Sequence, residues 1–251
     1  MSKFISKQSA AIWYGLTALL ATFLVGQVIL WCFPDGRSMG ASLLFILMNL
    51  IPMIVAAVFS LVLSEVNSLG EFFKKVFLQK ESPLSWILAF FIPVIYYGIS
   101  ILLMNVRFTG NSLLAFFLYF PWTLLYGGLE EVGWRWFLQD HLSFSKHFIP
   151  KMMLLSIVWF LWHIPIYQLP WITAGSSNYL IFYLMILGNT FLFGALKEYS
   201  KGAVPCIIAH MLIDSLAVLM LVQSSLPQII LLVIFEILVA SWLVAARKSE
   251  K

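Results

Sequence analysis

The strongest constraint on this chain is a succession of apolar runs, several of them about 20 residues long and almost free of charge. A helix of that length crosses a hydrocarbon core roughly 30 Å thick. Composition agrees with this reading. Hydrophobic residues make up 62% of the 251-residue chain and charged residues only 10%, against about 25% charged in ordinary soluble domains. The sequence therefore predicts an all-α polytopic membrane bundle, with residues 1–251 forming a single membrane domain in the lipid bilayer. The net charge of +4 calls for no nucleic-acid partner, because Lys and Arg fall in short loops and tails, where they set orientation.

Eight spans are expected, over residues 10–33, 40–63, 84–106, 112–138, 152–169, 179–196, 203–222 and 228–246. The first is too long for a signal-peptide core and lacks a small-x-small cleavage site, so it reads as a retained helix. Eight spans place Lys3, Lys7, Lys74, Lys75, Lys80, Lys146, Lys151, Lys197, Lys201, Arg247, Lys248 and Lys251 on one side. Only Arg37 and Arg107 fall on the other. The positive-inside rule then puts both termini in the cytoplasm. Between spans two and three, Phe72, Phe73, Val76 and Phe77 share a helical face that Lys74 and Lys75 avoid, the pattern of a short interfacial helix. Cys32 and Cys206 fall near opposite membrane faces, beyond disulfide reach, and are read as packing residues.

Against this apolar background, Gly127-Gly128-Leu129-Glu130-Glu131-Val132-Gly133-Trp134-Arg135 stands out. Each charge held at membrane depth costs roughly 2.5–3.5 kcal/mol even on the lenient insertion scale, so these charges must be paired, hydrated or used. Glu131 and Arg135 form an i, i+4 pair in the favourable order, whereas Glu130 points about one hundred degrees away from that pair. The three glycines allow a neighbouring helix to approach closely. Two histidines, His163 and His210, also lie inside apolar spans, and Asp214 follows His210 by one helical turn. At 1.5 Å per residue, Glu130 lies about 13 Å from the lysine-bearing end of its span, His163 about 18 Å, and His210 and Asp214 about 12 and 18 Å. Three helices thus bring rare polar groups to one layer, expected to open towards that end. Pro165 is expected to bend its helix just after His163. An unpaired carboxylate beside a histidine suits general-base activation of water. A second imidazole could donate to an oxyanion; Asp214 would either orient it as an acceptor or act as a protonated donor.

The order Glu-Glu-x-x-x-Arg, an aromatic-rich segment ending in His, and His-x-x-x-Asp resembles the CPBP family of intramembrane proteases. That family includes the CAAX prenyl endopeptidases and the bacteriocin-processing, Abi-like proteins of bacteria. The motifs here are Glu130 to Arg135, Trp159 to His163 and His210 to Asp214, and the resemblance covers residues 112–222. It implies an intramembrane glutamate-type endopeptidase acting near the cytoplasmic face, in peptide maturation or CAAX-like processing, without metal or other cofactor. On that pattern Glu130 is the base and His163 helps hold the water. His210 and Asp214 line the oxyanion site, while Glu131 and Arg135 brace the structure. Trp159 stands where the family usually has Phe, and Asp214 where prenyl-specific members usually have Asn. Both variants occur among bacterial members, so a bacterial plasma membrane and a peptide or membrane-protein substrate are implied.

Other readings use the same residues. A zinc protease could draw on two His and two carboxylates, although no His-Glu-x-x-His occurs. A proton-coupled transporter would also bury such groups, but the duplicated halves common in transporters are not evident. A non-catalytic immunity or scaffold protein could keep the motifs without cleaving anything. His141 and His147 read as solvated, Glu65 and Glu198 as interfacial, and Glu236 lies mid-span without an evident partner. Oligomeric state is left open.

Overall fold

The structure is a computed structural model, and it describes residues 7–36, 38–143, 147–172, 178–223 and 225–249. Lys3, Arg37, Lys146 and Lys251, used above in assigning orientation, lie outside them. The fold is an all-α membrane bundle with one short two-stranded sheet. Its elements are α1 (Lys7–Cys32), α2 (Met39–Val62), α3 (Leu69–Phe77), α4 (Pro83–Leu102), β1 (Val106–Phe108), α5 (Leu113–Thr123), α6 (Gln139–His141), α7 (Phe148–Tyr167), α8 (Tyr179–Tyr199), α9 (Val204–Leu216), β2 (Met220–Val222) and α10 (Leu226–Ser249). Between α5 and α6 the chain runs through two π-helical stretches, Leu124–Gly128 and Val132–Leu138.

Six helices among the described residues are long and apolar enough to cross a membrane, and the bent pair Leu113–Gly128 and Val132–His141 brings the number to seven if it is counted as one broken span. The expected seventh span is shorter than predicted. Its helix, α9, has 13 residues, about 20 Å at 1.5 Å per residue, and the rest of the run is a turn followed by β2. The count of eight full spans is therefore not reached on length.

Loops at the two ends of the bundle are tied separately. At the lysine-bearing end, Ala203 N–H donates to the Val76 carbonyl at 2.9 Å. There Glu81 accepts the N–H groups of Lys201 and Gly202 at 2.9 and 2.6 Å, and Lys197 pairs with Asp140 at 3.1 Å. His141 is not solvated as expected. It is buried on Phe137, with ring centroids 4.0 Å apart, and its Nε2 lies 2.9 Å from Glu65 Oε1. At the other end, β1 and β2 pair antiparallel with Arg107 opposite Leu221, and Gln228 donates to the Leu103 carbonyl at 2.9 Å.

The short helix expected between spans two and three forms as α3. Ser68 caps its N-terminus by accepting Glu71 N–H, satisfying a donor the helix cannot. Phe72 and Val76 are buried, Phe72 edge-on to Trp136 at 5.4 Å, while Phe73 faces outward. Cys32 is exposed and Cys206 buried, both unbridged. Pro165 does not end α7, which continues to Tyr167.

Candidate functional site

The two acids sit where a crossing breaks. The helical axis turns by 45° between Leu113–Gly128 and Val132–His141, and Glu130 and Glu131 occupy the break itself. π-Helical turns on both sides widen the backbone there, a feature frequent at functional sites. The break needs room on both flanks, and glycine supplies it. A Cβ on Gly127 would run into Asp214 Oδ2, and one on Gly133 into the Tyr14 hydroxyl and Pro52.

The adjacent carboxylates have different partners. Glu131, fully buried, receives Arg135 Nε on Oε2 at 2.7 Å and His210 Nδ1 on Oε1 at 2.9 Å. It therefore does more than brace its own helix, because it joins α9 to the bend. Glu130, 2% exposed, receives two indole N–H groups on the single atom Oε2, from Trp134 and Trp159, each at 2.9 Å. A carboxylate oxygen has two lone pairs, so these donors fill Oε2 and leave Oε1 for other work.

Trp159 links the base to the first histidine. Its carbonyl lies 2.8 Å from His163 Nδ1, and a carbonyl can only accept, so that nitrogen carries the hydrogen and Nε2 is left for a reactant. The Trp159 ring lies against both imidazoles, 5.5 Å from His163 and 5.7 Å from His210. The Arg135 guanidinium packs 4.8 Å from the same ring. On α9, His210 Nε2 lies 3.5 Å from Asp214 Oδ2. Asp214 is thus the looser of the two carboxylates on His210, and Glu131 sets the ring's orientation. Tyr97 steadies this part of α9 by donating to the Ile213 carbonyl at 2.9 Å.

A cavity of about 860 Å³ is lined at depth by Trp159, His163, His210 and Asp214; Glu130 is not among its lining residues and is joined to it through the indole of Trp159. Its polar rim is Arg107, Asn178, Gln223 and Ser225, all at the end of the bundle with the β1–β2 pair. The sequence led to an expected opening at the lysine-bearing end, whereas these rim residues lie at the other. The sequence estimate used depth alone. Depth could not show that α9 is short and that its chain turns back as β2 to form the cavity wall.

All the residues singled out from sequence, Glu130, Glu131, Arg135, His163, His210 and Asp214, meet in one connected set of contacts. Sequence reasoning did not assign Trp134 and Trp159 as donors to Glu130; indole N–H groups one turn from an acid and four residues before a histidine were the available signal. Glu236, on α10, is elsewhere. It is fully buried against Gly188, with neither carboxyl oxygen hydrogen-bonded. Among the described residues, no group of three or more His, Cys, Asp or Glu is spaced to hold a metal ion.

Residues 111–216 match the family model described as Type II CAAX prenyl endopeptidase Rce1-like. This segment is Rce1-like. It contains every candidate residue from Glu130 to Asp214 and covers less than half of the chain. No curated protein sequence matches the chain. The Rce1-like segment does not build the whole cavity, because Tyr96, Tyr97 and Arg107 precede it and Leu221, Val222, Gln223 and Ser225 follow it.

Proposed function

We propose that the chain is a glutamate-type intramembrane endopeptidase whose general base is Glu130. The observation supporting this is the division of partners between neighbouring acids. Glu131 is held by Arg135 and His210, whereas Glu130 has one oxygen fixed by two indoles and the other uncommitted. A water held between Glu130 Oε1 and His163 Nε2 loses a proton to Glu130 as its oxygen attacks the peptide carbonyl. The carbonyl oxygen gains the negative charge and takes a hydrogen bond from Nε2–H of His210, which acts as an imidazolium because its Nδ1–H is held by Glu131, with Asp214 beside it. Glu130 then returns the proton to the departing amine as the C–N bond breaks. Asp214 sits on the open side of His210 and acts by orienting it or, when protonated, as a second donor.

With lysines marking the cytoplasmic side, the cavity receives substrate from the opposite face. The substrate is a peptide or a membrane-protein segment brought in an extended form. Glu130→Gln and His163→Ala should each abolish cleavage of a native peptide while the protein stays folded in detergent. Unchanged turnover in either would reject the assignment. Inhibition by chelation with recovery on adding zinc would replace it with a metalloenzyme, and flux across proteoliposomes without hydrolysis with a transporter.

A further inference from the structure

A two-stranded sheet is out of place in a helical membrane bundle, and its position relative to the cavity suggests a use. Consecutive residues of a strand point to opposite faces, yet Leu221, Val222 and Gln223 all line the cavity in succession. The cavity therefore touches β2 through more than the side chains of one face. The ladder shows what the edge of β2 presents. Gln223 N–H donates to the Asn105 carbonyl, Thr109 N–H donates to the Leu219 carbonyl, and Arg107 lies opposite Leu221. In this antiparallel register the backbone groups of Arg107 and Leu221 face each other, and those of Met220 and Val222 face away from β1. β1 is the only ladder partner of β2 among the described residues.

Arg107 adds a charge to this edge. It is exposed at the cavity rim, and no ion pair is formed by it among the described residues. It is on the same face of the sheet as Leu221, its cross-strand partner. It lies outside the Rce1-like segment, and among the described residues it is the only Lys or Arg lining the cavity. A guanidinium offers a planar fork of donors that fits a carboxylate.

We propose that the substrate binds as a third strand on the free edge of β2, with a carboxylate of the peptide held by Arg107. The inference rests on the endopeptidase reading and adds a recognition rule: an extended, unmodified backbone carrying an anionic group. The carboxylate is either the peptide's own C-terminus or an acidic side chain, and the two can be separated.

The test uses the full chain in detergent, as the parent and as Glu130→Gln, which reads binding without turnover. Three randomised decapeptide libraries serve as probes. The first lacks Asp and Glu and ends in a free carboxyl, the second is the same with a carboxamide end, and the third is a carboxamide library with one Asp. One charge-assisted contact predicts retention of a carboxylate-bearing library about tenfold or more above the neutral one. Arg107→Gln should erase that difference, Arg107→Lys should keep part of it, and Arg107→Glu should reverse it. The first and third libraries identify the source of the carboxylate. N-methylation along the best-retained peptide should weaken binding at every second amide.

Equal retention of the acid and neutral libraries, no retention of any, or a preference surviving in Arg107→Gln would overturn the anchor. A methylation scan without two-residue alternation would overturn the strand. Arg107-dependent retention without cleavage by the parent would instead overturn the peptidase reading and leave the docking rule intact.

Discussion

His210 Nδ1 lies 2.9 Å from Glu131 Oε1, and the other oxygen of the same carboxylate receives Arg135 at 2.7 Å. One fully buried acid thus orients an imidazole on another helix and balances a guanidinium on its own. Glu131→Gln would leave Arg135 buried without a counter-charge, a change that typically costs about 3–5 kcal/mol. We expect early unfolding in denaturant and loss of activity together. Glu131→Gln with Arg135→Met should regain stability without regaining activity, since His210 stays unoriented. Recovery of both would show that Glu131 only balances charge.

Trp159→Phe keeps the ring beside both imidazoles and removes one donor from Glu130 Oε2. A hydrogen bond to a charged group is worth about 1.5–3 kcal/mol, so kcat should fall by about ten- to a hundredfold. KM should change little. A steady-state series on one peptide separates the two constants, and a change confined to KM would move Trp159 from the base to the substrate.

Glycine substitutions test the close approach of α9 to the bend. An added methyl at Gly127 would strike Asp214, whereas at Gly98 nothing lies within 4 Å. Gly127→Ala should displace the His210–Asp214 turn and depress cleavage strongly. Gly98→Ala should leave cleavage unchanged and favour its helix by about 1 kcal/mol. Thermal unfolding and turnover of both variants, measured side by side, check the contrast.

Glu236 offers a stability test away from the site. Its carboxyl presses on Gly188 without a hydrogen-bond donor. Glu236→Met, similar in volume and apolar, should raise the unfolding midpoint, because a buried unsatisfied polar group costs about 1–3 kcal/mol. Gly188→Ala should be destabilising in the parent and milder in Glu236→Ala. A double-mutant cycle with no coupling would contradict the packing.

The cap of α3 titrates. The Asn67 backbone N–H, then Lys75 and the Asn67 side chain, hold the Glu71 carboxyl down from 4.5 to about 2. A depressed carboxylate contributes order above its unfolded value of 4.5, and that contribution fades as pH falls towards about 2. Carbon NMR of labelled glutamate should place the Glu71 midpoint well below that of a free side chain, and Asn67→Ala should raise it. An ordinary midpoint in the parent chain would show that the cap does not form.

Much of this architecture is legible in the chain because it depends on local terms. Apolar length sets most crossings, the amphipathic pattern sets α3, and an acid followed four residues later by arginine sets the Glu131–Arg135 pair. The candidate site residues could be gathered for the same reason: a charge costly to bury is conspicuous wherever it occurs. Only the tertiary structure decided which partners each charge meets. It gave His210 to Glu131, two indoles to Glu130 and Glu65 to His141, and it folded the end of the seventh apolar run back as β2. Those outcomes depend on where helices distant in sequence come into contact. Hydropathy measures a residue's preference for lipid over water, and that preference is nearly the same for every helix face the bilayer could accommodate.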